Sequence, residues 1–411
     1  MATDFWTLLL VPFILVLSNS LLIPVLPQIK TALGISLFQS GLIITAFSLT
    51  AGLVIPAAGY LSDRIGRKAV MVPALFLFGI GGTAAGLAAW LLKHPFPWIL
   101  AARVLQGIGG GGTYQLALAL AGDIYTGKTR SRAVGYLEAA NGFGKVVAPL
   151  LGSAAALIIW FAPFFLYGIL AWPVAIIIWF IAQEPALSPA PPAKTYLNEL
   201  KEVWAERGIG LVACFLAGFL ALFLFFGLLS YLSDVLETKI GIKGFTRGLL
   251  VAIPVLSLTL TCSLIGVYLE RHLGKPLKIA LLTGLTFVSA ALVALALLPA
   301  GYLYFFPLIV AAIGIGVLLP GLNLLITSGA GSEERGFVTA VYGTVRFFGA
   351  ALGPPVVGLG LELGKSMLFY IFSAFTALVL ALVWWLVHPT QMLPRKLVKP
   401  SGNNSDPVVN N

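Results

Sequence analysis

Twelve apolar runs, each long enough to cross a bilayer, alternate with short polar punctuation along this chain. A membrane-spanning helix needs about 20 apolar residues. That measure predicts spans over 6–27, 38–61, 69–92, 97–121, 132–158, 162–182, 208–232, 246–268, 276–299, 302–328, 336–360 and 366–388. Between the sixth and seventh runs the pattern breaks. Pro185, Pro189, Pro191 and Pro192 stiffen the segment, and Tyr196, Leu197, Leu200, Val203 and Trp204 then recur at helical spacing among charged residues. This pattern predicts a short amphipathic helix lying on the membrane surface. The expected class is an all-α integral membrane protein: an N-terminal six-helix bundle over 1–182, a cytoplasmic linker over 183–207, a C-terminal six-helix bundle over 208–390, and a polar tail over 391–411.

Composition sharpens this. The chain is 59% hydrophobic and 10% charged, against about 25% charge in a soluble domain. Met1-Ala2-Thr3-Asp4 lacks the positive region of a signal peptide, and the first run is long enough to span. The net charge of +10 fits loops facing anionic lipid, so no nucleic-acid partner is expected. Cys214 and Cys262 sit inside apolar runs, and neither a disulfide, a metal nor a cofactor is expected. With both termini cytoplasmic, sixteen Lys and Arg fall in inner loops, Arg64, Arg67, Lys68, Lys128 and Arg130 among them. Six fall in outer loops: Lys30, Lys93, Lys239, Lys243, Arg247 and Lys365. The excess sets the orientation by the positive-inside rule. A monomer in the plasma membrane is expected.

Gly59-Tyr60-Leu61-Ser62-Asp63-Arg64-Ile65-Gly66-Arg67-Lys68 is a charged turn wedged between two apolar runs. Gly59 permits close helix approach and Gly66 a tight turn. The string resembles the signature loop between helices two and three of the major facilitator superfamily of secondary transporters. Gly59, Asp63, Arg64, Gly66, Arg67 and Lys68 fall where that motif wants them. The resemblance implies two six-helix bundles with substrate held between them. It also implies a latch in which Asp63 faces the amino terminus of helix eleven in one state, while Asp123 pairs with the basic residues of the loop. A carboxylate at a helix amino terminus meets partial positive charge.

Span five carries Gly135, Gly144, Ala148-Pro149 and Gly152, small residues suited to close packing beside a helix-bending proline. The spacing resembles the antiporter motif of drug–proton exchangers in the same superfamily, with Ala148 and Ser153 where that motif has glycine. Gly144-x-x-x-Ala148-Pro149 recurs as Gly349-x-x-x-Gly353-Pro354, a sign of repeated halves. In span four, Gly107-x-Gly109-x-x-Gly112 spells a dinucleotide fingerprint, which fails because no strand precedes it. Arg103, followed by Gln106 and Gly107, instead resembles a fourth-helix motif whose arginine is implicated in proton coupling. The competing reading is an arginine that snorkels outward.

Glu138 and Lys145 in span five and Arg346 in span eleven remain. Charges in a membrane are costly and usually face a bundle interior, so each is a functional candidate. Glu138, Asn141 and Lys145 share one helix face by their spacing. Glu138 is expected to carry the proton; the alternative is a static ion pair with Lys145 or Arg346. Lys145, Arg346, Asn141, Tyr114, Gln115 and Asn19 are expected to line the substrate cavity, with Phe47 among the aromatic residues around it. Counting Arg103, three cations against one acid point to a substrate with an anionic or polar part. The expected function is proton-coupled efflux of amphipathic small molecules, the partners being a small-molecule substrate, protons and the bilayer. The alternatives are export of an anionic metabolite or siderophore, flipping of a lipid-linked headgroup, and organic-anion uptake. No catalytic residues are expected.

Overall fold

The computed structural model describes residues 3–184, 193–272, 275–299, 301–329 and 335–389. Among these residues all regular structure is helical, as lipid demands of a backbone that must satisfy its own hydrogen bonds. Span one runs through Thr3–Leu8, Leu10–Ser20, a 3-10 turn at Ile23–Val25 and Leu26–Leu33. Spans two and three are Leu37–Ile65 and Arg67–Leu91; span four is Phe96–Gly111 followed by Tyr114–Ile124. Spans five to eight are Gly127–Ile158, Ala162–Ile181, Ala193–Thr238 and Gly244–Arg271. Spans nine to twelve are Lys275–Leu297, Phe305–Gly329, Arg335–Gly360 and Lys365–Leu386.

Eleven of the twelve are long and apolar enough to cross a membrane. Span four differs because it is broken at Gly112–Thr113 into helices of 16 and 11 residues. Four consecutive glycines, Gly109 to Gly112, precede the break, and each glycine weakens a helix by about 1 kcal/mol relative to alanine. Packing demands them nonetheless. A Cβ on Gly111 would lie 2.6 Å from the Ala51 carbonyl oxygen of span two. The single span expected over 97–121 is therefore two rods.

Three further expectations change. The Gly59–Ile65 stretch is the last part of span two, and Gly66 alone separates it from span three. Gly66 has φ +109°, and a Cβ there would meet the Glu184 carboxylate. The helix expected in the linker is continuous with span seven from Ala193 to Thr238, while 185–192 and the tail from 390 lie outside the described residues. Arg247, read as an outer-loop cation, is 1% exposed within span eight and paired with Glu237 of span seven. Burial of an unpaired guanidinium would be prohibitive, which accounts for the adjacent acid.

Buried apolar side chains gather into two clusters, one drawn from residues 5–182 and one from 211–387 with Ile23 added. The repeated glycines do equivalent work in each half. Gly144 and Gly152 seat span five against Phe13, Val16 and Leu21 of span one, and Gly349 and Gly353 seat span eleven against Phe219 and Phe223 of span seven.

The Asp63–Lys68 loop, Asp123 and Glu184 share one end of the bundle, called the basic end below. Lys30, Ser36, Leu157 and Lys365 belong to the far end. Contacts between the halves run from the far end to the middle. Lys30 of span one pairs with Asp234 of span seven. Thr45 donates to the Ala351 carbonyl at 2.6 Å, and Thr344 to the Gly52 carbonyl at 2.9 Å. A Cβ on Gly41 would lie 2.6 Å from the Pro355 nitrogen, and one on Gly244 3.1 Å from Leu157. Toward the basic end a Cβ on Gly59 or Gly135 would meet nothing within 4 Å. The expected close approach at those two glycines is absent here, because the halves are pinched at the opposite end.

Candidate functional site: charged groups at the seam between the halves

Spans four, five, eight and eleven bring five titratable side chains together. The Tyr114 hydroxyl, on the first residue after the break in span four, lies beside Glu138 and within electrostatic reach of Arg346 and Cys262. It stops short of a formed hydrogen bond. Lys145 is in turn within reach of Arg346, Glu138 and Cys262. Glu138 is exposed, and Lys145 and Arg346 are half-buried. Glu138 and Lys145 come from the N-terminal half and Arg346 from the C-terminal half, so the cluster straddles the seam. A charge at such a seam, inside an apolar bundle, is tolerated only with opposite charge or water beside it.

Arg346 is positioned by its own neighbours. Its Nη1 donates to the Asn323 Oδ1 of span ten at 3.4 Å, and its guanidinium lies 5.3 Å from the centre of the Tyr342 ring. Tyr342 stacks on Phe215 of span seven, with ring centres 6.0 Å apart. Gln115 reaches toward Gly343 of span eleven, its amide nitrogen 3.6 Å from where a Cβ would stand. Asn141 is buried, on the same helix as Glu138 and Lys145.

Arg103 and Asn19 lie elsewhere, inside the N-terminal half. Arg103 is fully buried. It donates to the Ile43 carbonyl at 3.0 Å, to Gln106 Oε1 at 2.6 Å and to Asn19 Oδ1 at 2.6 Å, with Tyr167 more distant at 3.4 Å. Its guanidinium lies 4.6 Å from the centre of the Phe47 ring. Asn19 passes the network on by donating to Ser48 at 2.6 Å. Asn19 and Phe47 therefore hold Arg103, where the sequence suggested cavity lining. No snorkelling occurs, because each of its three nitrogens already meets an acceptor within the bundle.

At the basic end, Arg67 pairs with Asp63 and donates from Nε to Asp123 at 3.2 Å. Arg64 lies 3.7 Å from the centre of the Tyr60 ring. Sequence reasoning missed Glu184, whose carboxylate accepts from the Arg67 and Lys68 backbone N–H groups at the start of span three. Lys68 Nζ donates to the Ala182 carbonyl at 2.8 Å. An acid at a helix amino terminus is stabilised by its unpaired N–H groups and dipole. The clue in the sequence was an isolated acid immediately after span six. Of the span-five motif, Ala148 and Pro149 are buried, and a Cβ on Gly248 of span eight would lie 2.6 Å from the Pro149 carbonyl.

Two helical halves, pinched together at one end and carrying opposed charges where they meet, define a membrane transporter. The chain belongs to the Major Facilitator Superfamily, whose family model matches residues 8–354. It is 38% identical over 372 residues to the bacillibactin exporter of Bacillus subtilis (strain 168), covering 90% of this chain and 92% of that one. It is 27% identical over 399 residues to multidrug resistance protein 2 of the same organism, covering 90% and 94%. Among solved structures it resembles a bacterial homologue of the human lysosomal transporter Spinster. The TM-score is 0.75 at 19% identity, over 92% of this chain and 95% of that one.

Proposed function

We propose that this protein exports amphipathic small molecules bearing an anionic or polar oxygen-rich part, siderophores among them, from the cytoplasm in exchange for protons. The observation that carries the reading is the seam cluster, in which Lys145 and Arg346 from opposite halves outnumber the single carboxylate of Glu138. With Glu138 ionised the three side chains hold one surplus positive charge. One anionic group on a substrate neutralises it and lowers the cost of enclosing the cluster in an apolar bundle. Similarity to the bacillibactin exporter across nearly all of both chains supports the same direction and a related substrate class.

The excess of loop cations at the basic end supports a cytoplasmic position for that end and for both termini. The arrangement described here is then the one open to the cytoplasm, with Lys30–Asp234 and the span two–span eleven contacts sealing the outside. Parting of those contacts and closure near Gly59 and Gly135 gives the outward-open state, in which Asp63 meets the amino terminus of span eleven. Glu138 is the carboxyl group of the cluster, and we assign the exchanged proton to it.

Everted vesicles test both assignments. Glu138→Gln is expected to abolish substrate-dependent proton movement while the protein remains inserted; unchanged coupling removes the proton site. Lys145→Ala and Arg346→Ala are expected to slow export of organic anions about tenfold or more, as loss of a charged hydrogen bond implies. Cationic dyes should be affected less, and the opposite order overturns the charge argument.

A further inference from the structure

Buried polar atoms in folded proteins nearly always have a hydrogen-bond partner, and exceptions gathered in one place ask for an explanation. Eleven buried side-chain nitrogen and oxygen atoms have no partner among the described residues. Four of them are Thr339 Oγ1, Tyr342 Oη and Arg346 Nε, all on span eleven, and Tyr114 Oη across the seam. Residues 339, 342 and 346 lie three and four apart, so they share one face of their helix. Thr339 stands about 10 Å nearer the basic end than Arg346, at 1.5 Å per residue. The same face packs on span seven, through Tyr342 against Phe215 and Gly218, and carries Arg346 to the cluster.

All four atoms are able to donate. Arg346 Nε can only donate, and the three hydroxyls can each donate. Only Nη1 of the guanidinium is engaged, by Asn323, which leaves the Nε edge presenting two parallel N–H groups. Two parallel donors match a planar group with two adjacent anionic oxygens. Tyr342 is 3% exposed and packed against span seven, with Gly218 leaving the room its ring needs. Its hydroxyl is therefore held in place before any ligand arrives. Tyr114 approaches from the other half, so a group bound here touches both halves at once.

We propose that span eleven carries the specificity subsite for the anionic group of the substrate. A planar group with two adjacent acceptor oxygens, a carboxylate or a deprotonated catechol, docks on the Nε edge of Arg346. Tyr342 and Tyr114 donate to it from the two halves. This rests on the exporter reading above, and adds that the fork of Arg346, rather than its charge alone, selects the substrate.

Binding to the purified full-length protein distinguishes the two, with 2-naphthoate and its neutral isostere 2-naphthamide as probes. Wild type is expected to prefer the carboxylate about tenfold or more, in line with hydrogen bonds to a charged group. Arg346→Lys keeps the charge but loses the fork, and is expected to lose most of that preference. Tyr342→Phe and Tyr114→Phe keep the rings and are each expected to cost carboxylate affinity about fivefold or more while leaving amide affinity unchanged. A lysine variant that still prefers the carboxylate, or phenylalanine variants that bind it as wild type does, overturn the subsite and leave the anion-exporter reading standing. Equal binding of both probes to wild type overturns the subsite and the charge argument of that reading together. A retained melting temperature in the phenylalanine variants excludes misfolding as the cause of a loss.

Discussion

Two arginines inside this bundle have opposite surroundings. Arg103 is sealed within the N-terminal half, and its donors meet a backbone carbonyl, a glutamine, an asparagine and a tyrosine. Arg346 sits at the seam with one donor engaged and its Nε unpartnered among the described residues. A satisfied buried cation with neutral partners ties helices together, here spans one, two, four and six. An unsatisfied one beside another cation keeps an unspent capacity to bind. The lesson is that charge inside a membrane is not by itself a mark of function. What separates the two arginines is how many of their donors the protein already uses.

The largest effect that would break this comparison is on folding. Arg103→Ala strands three close acceptors in a fully buried site, each costing about 1–3 kcal/mol. We expect it to lower the melting temperature sharply or to prevent recovery of monodisperse protein, whereas Arg346→Ala melts close to wild type. If Arg103→Ala is as stable as wild type, the contrast is lost.

Next in size is the seam itself. Lys30–Asp234 is an ion pair between the halves, with the two side chains 23% and 15% exposed. Such a partly shielded pair contributes about 1 kcal/mol. Lys30→Ala should therefore shift the population toward the far-end-open state about fivefold, read as a longer distance between spin labels on spans two and eleven at that end. The exchanged pair Lys30→Asp with Asp234→Lys should restore it.

The smallest effect concerns the basic end. Glu184→Gln keeps the shape of the cap on span three but removes its charge, an interaction worth about 0.3–1 kcal/mol. A melting temperature lowered by a few degrees or less is expected. A collapse of the fold would mean that Glu184 does more than cap.

Much of this was legible in the sequence for physical reasons. Hydropathy over about 20 residues is set by bilayer thickness, so all twelve spans could be counted. The charged part of the signature string, Asp63 to Lys68, and the recurring Gly144 and Gly349 patterns marked local contacts that the fold retains. What escaped depends on three-dimensional placement. Arg247 reads as a loop cation until Glu237 is seen beside it at the end of the preceding span. Asn19 could have faced the seam or Arg103; spacing cannot say which, because span one presents polar side chains to both. The glycine run at Gly109–Gly112 signalled close packing, yet whether the helix survives it depends on what spans two and three press against it. The continuity of Ala193–Thr238 was hidden by a change from amphipathic to wholly apolar pattern within one helix.

The interrupted fourth span has a mechanical consequence. Its second piece is a rod of 11 residues, about 16 Å long, separated from the first piece by the break at Gly112–Thr113. One end of the rod presents Tyr114 to the seam, and the other holds Asp123 against Arg67 of the signature loop. In the exporter proposed above, a change at Tyr114 and a change at the Asp123–Arg67 pair act on opposite ends of one short rod, beside the break in span four.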